Sequence, residues 1–197
     1  MTNTSLEVIG YVRCDYKEKF GIPRQSGLTG CAAAFIEMLP PYNQAEAFRG
    51  LDEFSHIWLL WDFSRAHKNG FTATVKPPKL GGNQRMGVFA TRSPFRPNNI
   101  GLSSVRLLDI IYNEENGCVH GLVVSGADIL DGTPVYDIKP YLPHIDSHPE
   151  ATGGFALSVS SEQAGQTPLI FRSCLYVPLT ISLPNLKRYF QVHRSRP

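Results

Sequence analysis

A mainly β fold, a compact antiparallel sheet or barrel with few short helices, is what this 197-residue sequence predicts. Short apolar or alternating segments of strand length recur along the chain, and turn residues separate them. Little of the chain has helical periodicity, and consecutive short strands with tight turns favour an antiparallel arrangement. No glycine-rich dinucleotide fingerprint follows a strand and no phosphate-binding P-loop is present, so a Rossmann-type nucleotide fold is poorly supported.

Taken in order, "LEVIGYVRC" reads as a strand, followed by the polar loop "DYKEKFGIPRQSGLTG". "CAAAFIEML" fits strand or helix, and the "PPY" after it favours a strand that ends sharply. "NQAEAFRGL" is the better helix, with Asn43 as N-cap and Gly50 as stop. "FSHIWLLWDF" is a dense apolar run of β-formers, most simply a buried strand, in which His56 reads as a core histidine. "MGVFAT", "SSVRLLDIIYN" and "CVHGLVVSGADIL" supply three more strands, and "NEENG" joins the last two as a hairpin. "LSVSS" and "LYVPLTISL" are weaker candidates. The polar, small-residue stretches "DSHPEATGG" and "SSEQAGQTP" place a boundary near residue 150. Residues 1–150 then form one domain, and 151–197 are too few to stand alone.

Composition is that of a globular protein, with 42% hydrophobic and 18% charged residues. No apolar run reaches the ~20 residues of a membrane helix. The N-terminus lacks the charged start and apolar stretch of a secretory signal, which makes a cytoplasmic protein the expectation. Cys14, Cys31, Cys118 and Cys174 are widely spread and form no Cys-x-x-Cys pair, and the histidines are equally scattered, so no metal site is expected. Ser103 and Ser104 have no Gly-x-Ser-x-Gly context, which argues against a serine hydrolase.

The net charge of +2 conceals an asymmetry. From Phe63 through Leu108 there is no Asp or Glu, yet Arg65, Lys68, Lys76, Lys79, Arg85, Arg92, Arg96 and Arg106 all fall there. Local field, more than net charge, sets attraction to phosphates, so this block suggests a polyanion surface. The plainer alternative is a solvated face whose acids lie elsewhere in sequence but nearby in space.

Within that block, "RMGVFATRSPFRPNNIGL" is an unusual loop. Pro94 and Pro97 stiffen it, so its shape is set before any ligand arrives. Arg92 and Arg96 present planar forks suited to a carboxylate or phosphate, although a tight turn whose arginines bond backbone carbonyls would use the same residues. Asn98 and Asn99 suit the turn. In "SGADILDGTPVYDIKPYLPHID", Asp128 follows a Gly-Ala pair at a strand end and Asp131 opens an Asp-Gly turn. Asp137, Lys139 and Tyr141 alternate, and so share one side of an extended segment. His67, between Arg65 and Lys68, is a site candidate, and "PRQSG" around Gln25 reads as an exposed loop.

Four stretches in register, "YKEKFGIPRQ", "LDEFSHIW", "RMGVFATRSPFRPNNIGL" and "DGTPVYDIKPYLPHID", resemble the TsaA-like proteins and, more narrowly, the TrmO family of tRNA methyltransferases. The resemblance runs from about Leu6 to Asp146. It implies a TsaA-like β-barrel over residues 1–150 that binds S-adenosylmethionine and works as a homodimer, with no membrane and no metal. It implies methylation of N6 of threonylcarbamoyladenosine at position 37, in the tRNA anticodon loop. By the same resemblance, Gln25, Ser26, Gly27, Ala66, His67, Arg92, Leu102, Ser125, Gly126, Ala127 and Asp128 contact the cofactor. Arg96, Lys139 and Tyr141 are expected on the tRNA side, and Asp131, Asp137 or water are candidates for the N6 proton. Members usually continue into a further β-rich segment with an Asp-Pro-Arg-Pro-x-Tyr motif, which this sequence lacks. Residues 151–197 are therefore expected to be an incomplete second lobe, and a binding module of low or no activity is the alternative to an enzyme.

Overall fold

The computed structural model describes residues 5–17, 33–67, 70–77 and 84–155. All of them lie in the first of two compact units, 1–160 and 161–197. The expected strands "LSVSS" and "LYVPLTISL" fall outside the described residues.

Six strands close into an antiparallel barrel: β1 (Gly10–Arg13), β2 (Ala33–Met38), β3 (His56–Asp62), β6 (Ile100–Tyr112), β7 (Val119–Ser125) and β8 (Pro134–Pro140). The order around the barrel is β1-β2-β7-β6-β3-β8, with β8 returning to β1. A separate ribbon pairs β4 (Thr74–Val75) with β5 (Met86–Gly87). A single short helix, α1 (Pro143–Asp146), follows β8 among the described residues.

Period-2 alternation aims one set of side chains into the barrel. Val12, Ile36, Ile57, Leu59, Val105, Leu122, Val124 and Val135 are all 1% exposed or less and form its centre. Each such side chain stabilises the fold by about 1.5–3 kcal/mol relative to exposure. β6 is long enough to span the barrel and still pair with both β3 and β7, and it bends at register shifts after Leu107 and Ile111. The "NEENG" hairpin forms as expected, with Gly117 at φ +69.

Three local expectations change. "NQAEAFRGL" forms one 3-10 turn, Ala45–Phe48, instead of an α-helix; Gly50 at φ +80 ends it as expected, and a second 3-10 turn, Leu51–Glu53, follows. Asn43 caps nothing with its side chain; its carbonyl accepts from the Val119 amide. "MGVFAT" gives only the two residues of β5 before turning into a 3-10 segment, Val88–Ala90. His56 is not a core residue: it opens β3 on the outer face, exposed, with Nδ1 2.9 Å from the Ser55 hydroxyl.

Candidate functional site

At one rim of the barrel β1, β3 and β7 end while β2, β6 and β8 begin, so the connections between them converge. A cleft of about 270 Å³ opens there, bordered by the end of β3, the turn Phe63–Ala66, Pro94, Asp128, Leu130 and Thr133. Its floor is Trp61, which lies against Gly101 so closely that any side chain at that position would overlap the indole. Trp61 donates Nε1–H to Ser103 Oγ at 3.0 Å, and Ser103 donates to Asp128 Oδ1 at 2.7 Å. Gly126, at φ +79, makes the bend off β7 that brings Asp128 back over the rim. Asp128 Oδ2 receives no bond from any described residue.

Asp62, the last residue of β3, is only 6% exposed. His67 Nε2 stands 2.7 Å from its Oδ1. An ionised carboxylate only accepts, so Nε2 carries the proton and Nδ1 is left as an acceptor. The Tyr136 hydroxyl also faces Asp62. Burial first, and the Asp62 charge next, push the Tyr136 hydroxyl above the ordinary tyrosine range, so it remains a donor. The buried Asp62 carboxylate holds the half-exposed His67 ring in place at the cleft's mouth.

The arginine-bearing loop divides its two forks. Arg96 Nη1 donates to the carbonyls of Val88 (3.1 Å) and Thr91 (2.7 Å), and Asn99 Nδ2 donates to Pro94 O. These bonds brace the loop from within. Arg92 is exposed and has no hydrogen-bond or ion-pair partner among the described residues. The loop is tied to the barrel by the Phe63 amide, which donates to Asn99 O at 2.8 Å.

Of the cofactor residues the sequence suggests, Ala66 and Asp128 border the cleft, His67 reaches its mouth through Asp62, and Arg92 is two residues from bordering Pro94. Ala127 is buried beside Asp128, Ser125 ends β7, and Leu102 points outward from β6, 53% exposed. Gln25, Ser26 and Gly27 lie outside the described residues. Asp131 sits just past Leu130 with both oxygens engaged, Oδ1 by the Cys14 amide (3.0 Å) and Oδ2 by Lys17 (2.6 Å). Asp137 and Lys139 pair at 2.8 Å on the outer wall of β8. Tyr141 packs on Trp58, with ring centroids 5.5 Å apart, on the same wall. Of the cofactor candidates, Ala66 and Asp128 line the cleft, while Asp137, Lys139 and Tyr141 are not part of its lining.

Asp62, Ser103 and Tyr136 are site residues that the sequence reading did not flag. For two of them a signal existed. Asp62 is an acid closing an apolar strand, and Ser103 is a hydroxyl in phase with the inward Gly101 and Val105.

Known proteins match this barrel. Residues 11–147 match the family described as the tRNA-methyltransferase O N-terminal domain. The chain is 47% identical over 163 residues to the tRNA (adenine(37)-N6)-methyltransferase of Escherichia coli, covering 83% of this chain and 68% of that one. It is 48% identical over 152 residues to a Pseudomonas aeruginosa protein described as a putative S-adenosylmethionine-dependent methyltransferase, covering 77% of this chain and 63% of that one. Solved TrmO from Pseudomonas aeruginosa superposes with a TM-score of 0.63 at 42% identity, over 79% of this chain and 63% of that chain. The chain thus spans roughly two thirds of the length of these relatives. With a closed six-strand barrel, a rim cleft and a family match over most of the barrel's length, the chain belongs to the TrmO family.

Proposed function

We propose that this chain binds S-adenosylmethionine at the rim cleft and transfers its methyl group to N6 of adenine 37 in tRNA, the adenine carrying a threonylcarbamoyl group. The observation that carries this reading is the Asp128 carboxylate at the cleft, held by Ser103 through one oxygen and with no partner among the described residues on the other. Such a group suits a hydroxyl or ammonium donor of the cofactor. The cleft volume of about 270 Å³ suits part of a nucleoside ligand. Arg92, exposed and unpartnered among the described residues, suits a carboxylate. Ala66 and Pro94 add apolar wall, and Gln25, Ser26, Gly27, Leu102, Ser125, Gly126 and Ala127 complete the proposed contacts.

When bound, S-adenosylmethionine supplies a methyl group already activated by its sulfonium charge. What the protein adds is placement and proton management. The rim residues hold the partners in line, which is where most of the rate advantage of such a transfer arises. His67 takes the N6 proton on Nδ1, while Asp62 keeps the opposite nitrogen protonated and steadies the resulting cation. Asp131 and Asp137 are the competing acceptors, and each already faces a lysine. Arg96, Lys139 and Tyr141 remain proposed on the tRNA side, and a homodimer and a cytoplasmic setting belong to the same proposal.

The test is methyl transfer from radiolabelled S-adenosylmethionine to tRNA with and without threonylcarbamoyladenosine. Label entering only the modified tRNA supports the reading. Calorimetric binding of the cofactor with no label transferred would reduce the chain to a binding module, and absence of both would overturn the proposal.

A further inference from the structure

Two large aromatic rings stand in the open on the chain segments flanking the ribbon β4–β5. Phe71 is 55% exposed and Phe89 71% exposed, with centroids 6.5 Å apart and planes 28° from parallel. The smaller neighbour Val88 is buried at 1%, so the segment is anchored by its valine while the larger apolar side chain faces out. The rings sit on a braced backbone: Thr72 N–H donates to Phe95 O at 3.2 Å and Val88 N–H to Ala73 O at 2.9 Å. The Arg96 guanidinium lies 5.5 Å from the centre of the Phe89 ring. Lys76, next to β4, and Arg85, which donates to Thr74 Oγ1 on β4 at 3.0 Å, are exposed, and the described stretches 70–77 and 84–99 contain no acid. The patch therefore joins two exposed rings to the Arg96 guanidinium, with exposed cations on the adjoining ribbon.

We infer that Phe71 and Phe89 form a stacking platform for unpaired bases of an RNA loop, with Arg85 and Lys76 meeting the flanking phosphates. Exposed rings beside guanidinium planes are how proteins hold splayed, single-stranded bases, since every base has a stackable face and paired bases do not. A purely apolar protein partner would not call for the surrounding cations, and a duplex would not call for the rings. The inference rests on the tRNA reading above and locates the grip on the loop away from the cleft lining.

The experiment compares RNA affinity, by fluorescence anisotropy, of the unaltered chain, Phe71→Ala/Phe89→Ala and Phe71→Tyr/Phe89→Tyr. The probes are an anticodon stem-loop and a fully paired duplex of the same length. Cofactor binding by calorimetry reports that each variant is folded. The alanine pair is expected to lose roughly tenfold or more in affinity for the stem-loop, with duplex binding unchanged and the tyrosine pair near the unaltered chain. Equal stem-loop affinity in the alanine pair overturns the platform while leaving the tRNA reading intact. No stem-loop binding by the unaltered chain overturns both. Conversion of a dimer to a monomer in sedimentation, with RNA affinity unchanged, identifies a second copy of the chain as the occupant and also overturns the platform.

Discussion

The carboxylates at the cleft and those beside lysines use one chemical group in two ways. Asp62 is bonded by the His67 ring and faces the Tyr136 hydroxyl, and Asp128 receives a hydrogen bond from Ser103. Asp131 and Asp137 face ammonium groups at 2.6 and 2.8 Å. A carboxylate oriented by an imidazole or a hydroxyl keeps its charge available for a ligand or a forming cation. One already matched by a lysine has that charge compensated and serves to hold a turn or wall together. The loop arginines repeat the contrast, Arg96 bound to its own backbone and Arg92 open.

The largest expected effect breaks the comparison at its centre. His67→Ala is predicted to lower single-turnover methylation about 10²- to 10⁴-fold, the range of a positioned acid or base, with cofactor affinity much less affected. Asp62→Asn should follow in the same direction, and a rate unchanged by both would return the proton to another acceptor. Next is Asp128→Asn, predicted to weaken S-adenosylmethionine binding roughly 10-fold or more, as measured by calorimetry, because a bond to a charged acceptor becomes a neutral one. Asp137→Asn sharpens the other side. It removes an exposed ion pair, so a stability change of about 1 kcal/mol or less and a near-normal rate are expected. A hundredfold rate loss would make Asp137 the acceptor after all.

The smallest effect is a pH response. The Leu142 amide, and then the Trp58 indole, hold the Asp146 carboxyl below the ordinary aspartate range. A lowered value means that this stabilisation is present above the ordinary range and lost as pH falls through the lowered one. Trp58 fluorescence should therefore change in that acidic window, and Asp146→Ala should abolish the step.

Much of the barrel was legible because strand pairing obeys a local rule. Alternation along "SSVRLLDIIYN" and the dense apolar run of β3 mark inward positions with no knowledge of the partner strand. At "NQAEAFRGL" the stop at Gly50 was legible, but the residues before it wind as a 3-10 turn instead of an α-helix. His56 misled because apolar neighbours in sequence say nothing of which face an edge residue of a strand takes.

By itself the sequence determined the mainly β class, the chemistry concentrated in the loops between strands, the acid-free basic block and the family resemblance. Only the tertiary structure decided what each charged group faces. The Cys14 amide and Asp131 are separated by 117 residues, Trp61 and Ser103 by 42, and Ser103 and Asp128 by 25. Closing the barrel is what brings these groups within hydrogen-bond reach. A side chain's role at this rim depends on that distance to a partner, which spacing along the chain does not encode.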